Sequence, residues 1–240
     1  MRHRTLVEVV EAELKRMLLE GELPPGEPVN QVRIASQLGV SRTVVREASR
    51  SLAVQGLLEL RSRRKSLTAP LSRRRLEEML AVRQELEAVA VRWATPAMGP
   101  EQLRYLRALC ERMVGSEAAG DEWLRLDRLF HRTIYEASGN SILASMLEGL
   151  RDQITRYMKL AWPTWNSVRG ANARAEHFEL LCALESGDVD AAEAAIRRHL
   201  RGTTSWLLRE FDEWVGESES VSRNAEGALR DAERAAADER

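Results

Sequence analysis

Three of the four histidines in this 240-residue chain fall on helical patterns together with an aspartate, and the set has the chemistry of a metal-ligand group. Asp127 and His131 are four residues apart, which places both side chains on one face of a helix. His177 and His199 stand ten and twelve residues from Gly187 in the turn Ser186-Gly187-Asp188. At 1.5 Å per residue that is ~15 and ~18 Å along two antiparallel helices, so they reach nearly the same height. If the helix of Asp127 packs beside that hairpin, three imidazoles and a carboxylate converge inside a bundle. Such an N₃O donor set suits Zn²⁺ first, with Ni²⁺ and Mn²⁺ as alternatives, and leaves positions open for a ligand. An ordinary reading stands beside it, since Asp–His pairs at i,i+4 are common on helix surfaces. Neither HExxH nor the Glu-x-x-His of di-iron bundles occurs.

A second group of residues points to nucleic acid. Residues 30–60 read NQVRIASQLGVSRTVVREASRSLAVQGLLEL, with an apolar helical pattern (Val32, Ala35, Leu38) that breaks at Gly39. Ser41 then opens another helix whose first turns carry Arg42, Thr43, Arg46 and Arg50, while Val44, Val45, Ala48 and Leu52 can pack inward. Glycine permits the sharp turn and serine caps the orphan N–H groups. This is the layout of a helix-turn-helix, in which the start of the second helix reaches base edges in the major groove. Two strand-like pieces, Leu57–Arg61 and Ser66–Ala69, flank the basic tip Arg63-Arg64-Lys65 and predict a wing that touches phosphates. A merely solvated loop would also carry such a charge run.

The elements that must position these residues divide the chain into two domains. Residues 1–70 predict a winged helix-turn-helix, opened by an amphipathic helix over Thr5–Glu20 with Leu6, Val9, Val10, Leu14, Met17 and Leu18 on one side. Residues 71–215 carry helical periodicity only. Six helices are expected, near Ser72–Ala94, Gly99–Ala118, Asp121–Ala137, Asn140–Leu160, Trp165–Glu185 and Asp188–Phe211, forming an antiparallel all-helical bundle. The fold class is therefore mainly α. Residues 216–240 lack a sustained apolar stripe and are expected to be a disordered tail or a frayed helix.

Charge follows the same division. From Arg33 to Arg75 there are ten Arg and Lys65 against Glu47 and Glu59, a local net of 11 − 2 = +9 in a chain whose net charge is −1. Positive charge sits where phosphate contact requires it. Cys110 and Cys182 lie within apolar helical patterns without CxxC spacing and read as small buried hydrophobes. No apolar run approaches the roughly 18 residues of a membrane span, and the N-terminus lacks a signal-peptide core, so a soluble cytoplasmic protein is expected. No nucleophile elbow, phosphate loop or kinase signature is present, and an enzyme is not expected.

These residues also carry a family likeness. GELPPGEPVNQVRIASQLGVSRTVVREASRSLAVQGLLEL resembles the DNA-binding domain of the GntR superfamily. AVRQELEAVAV, LDRLFHRTIYEASGN and EHFELLCALESGDVDAAEAAIRRHL resemble the FCD effector domain of its FadR subfamily, and the helix count resembles the VanR-like branch. The likeness covers about residues 5–211. It implies a homodimeric transcription regulator, usually a repressor, that binds a double-stranded DNA operator and answers to a small organic or sugar acid. It implies DNA contacts at Arg42, Thr43 and Arg46, and at Arg64 and Lys65 of the wing. Asp127, His131, His177 and His199 match the family's metal ligands, and Arg83 matches an Arg that faces the effector. Val44 stands where the family usually has Pro. Two other readings remain: a regulator whose bundle only dimerises, and a metal-dependent enzyme with a nucleic-acid tether.

Overall fold

The computed structural model describes residues 5–62, 65–115, 121–165 and 169–238. Its N-terminal domain contains α1 (Leu6–Leu19), α2 (Gln31–Leu38), α3 (Arg42–Val54), β1 (Leu58–Ser62) and β2 (Lys65–Thr68). Thr5 and Glu8 close a capping box on α1, so two orphan donors of its first turn are satisfied reciprocally. Helix α1 buries Val10, Leu14, Met17 and Leu18 against α3, while Leu6 and Val9 stay about half exposed. Asn30 caps α2, and Gly39 ends it in the left-handed conformation at φ 65°. The buried residues of α2 are Ile34 and Ala35, and Val32 faces solvent instead of the core. The inward set of α3 is as expected, with Val45, Ala48 and Leu52 buried and Val44 partly buried against the same cluster.

Strands β1 and β2 pair antiparallel in the register Leu58↔Thr68, with a shift between Leu60 and Ser62. Leu57 and Leu58 dock this hairpin on the three-helix core. Pro28 adds an isolated bridge to Leu67, which ties the turn before α2 to the wing.

The second domain comprises α4 (Arg73–Ala94), α5 (Pro100–Gly115), α6 (Asp121–Ala137), α7 (Ser141–Thr164), α8 (Gly170–Ser186) and α9 (Val189–Asp238), with a short 3₁₀ turn at Thr95–Ala97. Helix α4 packs against α6, α7 and α9, and α8 against α5 and α9. Asn140 caps α7 by accepting from the amides of Ile142 and Leu143, and Gly187 closes α8 at φ 70°. The expected break at Trp162-Pro163 is displaced: α7 runs on to Thr164 with Pro163 in its last turn, where Pro cannot donate to the Lys159 carbonyl and the helix ends one residue later. Helical backbone also continues past Gly216 to Asp238, the second of the two expected states of this stretch. That stretch is rich in Ala, Glu and Arg, which favour helix without needing an apolar stripe. Cys110 is buried as expected, but Cys182 is exposed.

The two domains meet along α7. Lys15 on α1 ion-pairs with Asp152, Arg75 reaches both Gln153 (2.9 Å) and the Gly56 carbonyl (3.4 Å), and Arg156 donates to the Ala69 carbonyl at 2.5 Å. Gly56 is favoured here by its backbone, and a side chain would also displace the ends of Arg75 and Gln153. Its φ is +73°, and a Cβ would lie 2.5 Å from Arg75 Nη2 and 2.8 Å from Gln153 Oε1. No helix among the described residues is long and apolar enough to cross a membrane.

Candidate metal centre

Asp127, His131, His177 and His199 are all buried, and one ligand atom from each lies within 4.8 Å of the others. Each comes from the core-facing stripe of its helix. On α6, Asp127 and His131 alternate with the buried Trp123, Phe130 and Ile134, so the amphipathic period that folds the helix also aims the ligands inward. The His177 and His199 rings meet across the α8–α9 hairpin at 4.5 Å, and His131 lies 5.4 and 5.3 Å from them.

The surrounding acceptors fix which nitrogen of each ring is free. His177 Nδ1 lies 2.6 Å from the Ala173 carbonyl, which can only accept, so Nδ1 carries the proton. His131 Nδ1 lies 2.9 Å from Glu87 Oε2, and His199 Nδ1 lies 2.8 Å from Glu176 Oε2. Burial pushes the Glu87 carboxyl up, but Arg83, His131 and Arg151 together hold it well below the usual carboxylate range. Glu176 is pushed up by burial and lowered on balance by His199 and Arg169. Each Nδ1 thus faces an acceptor, which leaves the three Nε2 atoms as the ring nitrogens available to a metal whenever the rings are neutral. Burial, then the neighbouring His177, pushes His199 down to about 3, which keeps that ring neutral.

What the Nε2 atoms face decides the fit to a metal. His177 Nε2 is 3.1 Å and His131 Nε2 is 3.6 Å from Asp127 Oδ1, yet both nitrogens are buried without a hydrogen-bond partner. Lone pairs packed against an anionic oxygen repel, and a cation between them removes the repulsion. Two donors bound to tetrahedral Zn²⁺ at ~2.0–2.1 Å stand about 3.3 Å apart, between the two distances found here. The Nδ1 partners are the outer hydrogen bonds that orient histidines on a metal. The residues present fit a divalent cation held by one oxygen and three nitrogens.

Beside this group lies a cavity of about 310 Å³, lined among others by Asp127, His199, Arg83 and Arg151. Arg83 is buried and its Nε donates to Glu87 Oε1 at 2.5 Å. It thus makes the i,i+4 pair that an ordinary helix arginine would make and still borders the cavity. Arg151 ion-pairs with Asp127 Oδ2, while its Nη1 is 4.0 Å from Glu87 Oε1 and has no hydrogen bond. Arg151 escaped the sequence reading although a signal was there: it occupies the buried stripe Leu143, Leu147, Arg151, Ile154 and Met158 of α7. An arginine in such a stripe needs a buried anion. Glu87 and Glu176 were also missed, because their partners lie on other helices.

The predicted DNA contacts of α3 lie at the start of that helix. Ser41 caps α3, accepting from the Val44 amide at 3.4 Å, and Arg42 and Thr43 behind it are exposed. Arg46 is half-buried, 3.6 Å from Glu47, which also takes Arg50 at 2.8 Å. Arg64 lies outside the described residues, as do Arg63 and the side chain of Lys65, whose backbone begins β2.

Comparison with known proteins agrees with both domains. Residues 6–66 match the family model "Bacterial regulatory proteins, gntR family", and residues 78–202 match the "FCD domain". The chain belongs to the GntR family of transcriptional regulators and carries an FCD domain. It is similar to the HTH-type transcriptional regulator McbR of Escherichia coli, with 29% identity over 88% of this chain and 97% of that one. The solved structure of E. coli McbR/YncC superposes with a TM-score of 0.74 at 27% identity, covering 87% of this chain and 100% of that chain. The Nta operon transcriptional regulator of Aminobacter aminovorans is 32% identical over 74% of this chain and 82% of its own. The HTH-type transcriptional repressor RspR of E. coli is 24% identical over 85% and 91%. These relatives are named as transcriptional regulators and not as enzymes. The GntR-family assignment makes this a DNA-binding transcriptional regulator whose helical half is an FCD domain.

Proposed function

We propose that this GntR-family regulator is a repressor that dimerises on an inverted-repeat operator and is released when a small carboxylate binds beside Zn²⁺ in the FCD domain. The observation that carries the reading is the convergence of partnerless Nε2 atoms and Asp127 at the edge of a cavity that two buried arginines share. Arg83 and Arg151 balance Glu87 and Asp127 in charge, so a dication leaves a double positive surplus that attracts an anion and that one carboxylate halves. Zn²⁺ held there supplies a Lewis-acidic position for one carboxylate oxygen. The chain's own residues do the rest: Arg151 Nη1 is free to donate, and its guanidinium favours a carboxylate.

On α3, Arg42, Thr43 and Arg46 are the proposed base and phosphate contacts, with Arg64 and Lys65 reaching the backbone from the wing. Repression is supported by the likeness to RspR, which is named a repressor. Two copies are needed to read an inverted repeat. A surface suited to a second copy is the α4 line Val82, Leu86, Val89, Trp93, in which Val82 and Trp93 are about half exposed.

The route from ligand to DNA runs through α7. Arg151 faces the cavity, while the next residue, Asp152, holds Lys15 of α1 and Arg128 of α6. Arg128 and Glu20, the residue that ends α1, line the same cavity. A ligand shifts the DNA-binding arrangement only by as much as it prefers one arrangement over the other. The test is fluorescence anisotropy of zinc-loaded protein on an operator selected from random duplex DNA, titrated with a panel of carboxylates. At least one acid should weaken DNA binding, and EDTA should erase the response. A response to every acid that persists in EDTA contradicts the reading.

A further inference from the structure

An apolar wall of the cavity is built from Trp123, Leu124, Ile154, Met158 and Trp165. Trp123 and Trp165 are each 1% exposed and pack at 4.3 Å between ring centroids. Among the residues lining this cavity, three buried side-chain atoms lack a hydrogen-bond partner: Trp123 Nε1, Trp165 Nε1 and Arg151 Nη1. All three are donors. The apolar side chains of this wall offer no oxygen acceptor, and the hydroxyls and carboxylates elsewhere in the lining each hold a partner. Thr155 donates to the Arg151 carbonyl at 2.7 Å, and Thr203 accepts from Arg169 at 3.2 Å. Asp121 pairs with Lys159 at 2.6 Å, Glu20 pairs with Arg16, and Asp127 pairs with Arg151.

We infer that the ligand of this cavity is an aryl carboxylate and not a polyhydroxylated sugar acid, an inference that rests on the carboxylate-binding reading above. A flat ring satisfies the indole and aliphatic wall, and its carboxylate meets Arg151 Nη1 at the metal end. An acceptor oxygen on the ring takes up an indole N–H. Each sugar hydroxyl instead brings a proton that finds no free acceptor on this wall, and an unmade buried hydrogen bond is costly. The volume of about 310 Å³ suits one substituted ring.

Calorimetric titration of the zinc-loaded full-length protein with benzoate, 4-methoxybenzoate and gluconate tests this. 4-Methoxybenzoate, whose ether oxygen only accepts, should bind about tenfold or more tightly than gluconate. Benzoate should fall between them, and both aryl acids should change tryptophan fluorescence. Arg151→Gln should weaken both aryl acids at least about tenfold while zinc stoichiometry is kept. Because Arg151 also pairs with Asp127, Trp123→Phe provides a milder variant: it keeps the ring and should shrink the advantage of 4-methoxybenzoate over benzoate. Gluconate binding as tightly as the aryl acids overturns the inference and leaves the metal-anchored carboxylate reading standing. No binding of any of the three overturns the inference as well. A protein that takes up no zinc overturns the underlying reading instead.

Discussion

On α3, Arg42 and Arg50 stand in solvent and Arg46 is half-buried, whereas Arg83, Arg151 and Arg169 of the bundle are all at least nine-tenths buried. The first set is paired loosely, through Glu47 alone, and stays available to a partner. Each member of the second set is held by a carboxylate: Glu87, Asp127 and Glu176. Where charge meets an external polyanion, the fold leaves it wet and strength comes on binding. Where charge orders a metal group, the fold takes it out of water and must pair every member, because an uncompensated buried charge is costly.

The sharpest form of that contrast lies in two pairs of identical spacing. Arg83 and Glu87 are i,i+4 on α4 and buried, and Arg132 and Glu136 are i,i+4 on α6 and more than half exposed. Breaking the buried pair should have the largest effect. Glu87→Ala leaves Arg83 and the His131 Nδ1 proton without their acceptor and should cost roughly 3–5 kcal/mol, read by urea unfolding of the metal-free protein. A loss under about 1 kcal/mol would mean that water or a neighbour replaces Glu87.

Arg46→Ala should come next, weakening operator binding by roughly 1–3 kcal/mol if the guanidinium reads a base. Binding measured at several salt concentrations and on altered operators separates the outcomes: a uniform, salt-dependent loss makes Arg46 a phosphate contact. Gly56→Ala should destabilise the domain junction by about 1–2 kcal/mol from its left-handed backbone alone. The crowding of Arg75 and Gln153 adds to that figure. A thermal scan unchanged from the parent would show that the junction is loose. Glu136→Ala should have the smallest effect, within about 0–1 kcal/mol and fading with salt.

The same contrast explains what the sequence made legible. Helix-turn-helix chemistry is local: Gly39, Ser41, Arg42, Thr43 and Arg46 span eight residues, and their roles follow from helix period and capping. The Asp/His cluster was legible because one pair shares a helix face and the other pair shares a hairpin height, so simple geometry brought the four side chains together. Their partners were not. Glu87 reads as the surface mate of Arg83, and only the packing of α4 against α6 turns it toward His131. Glu176 precedes His177 by one residue but serves His199 on the next helix. Val32 misled for another reason: Val32 and Ile34 lie about half a turn apart on an eight-residue helix, either can be read beside Ala35, and the core takes Ile34. The tail past Gly216 shows that helical backbone needs propensity and no apolar face.

The central claim is that Asp127, His131, His177 and His199 hold one divalent cation. Elemental analysis of the purified full-length protein after equilibration with Zn²⁺ and gel filtration tests it most directly, with His177→Ala as the paired sample. One zinc per chain in the parent, none in His177→Ala, and a cooperative unfolding transition in both is the expected result. A folded parent that retains no zinc, or a His177→Ala protein that retains as much as the parent, would contradict the metal centre.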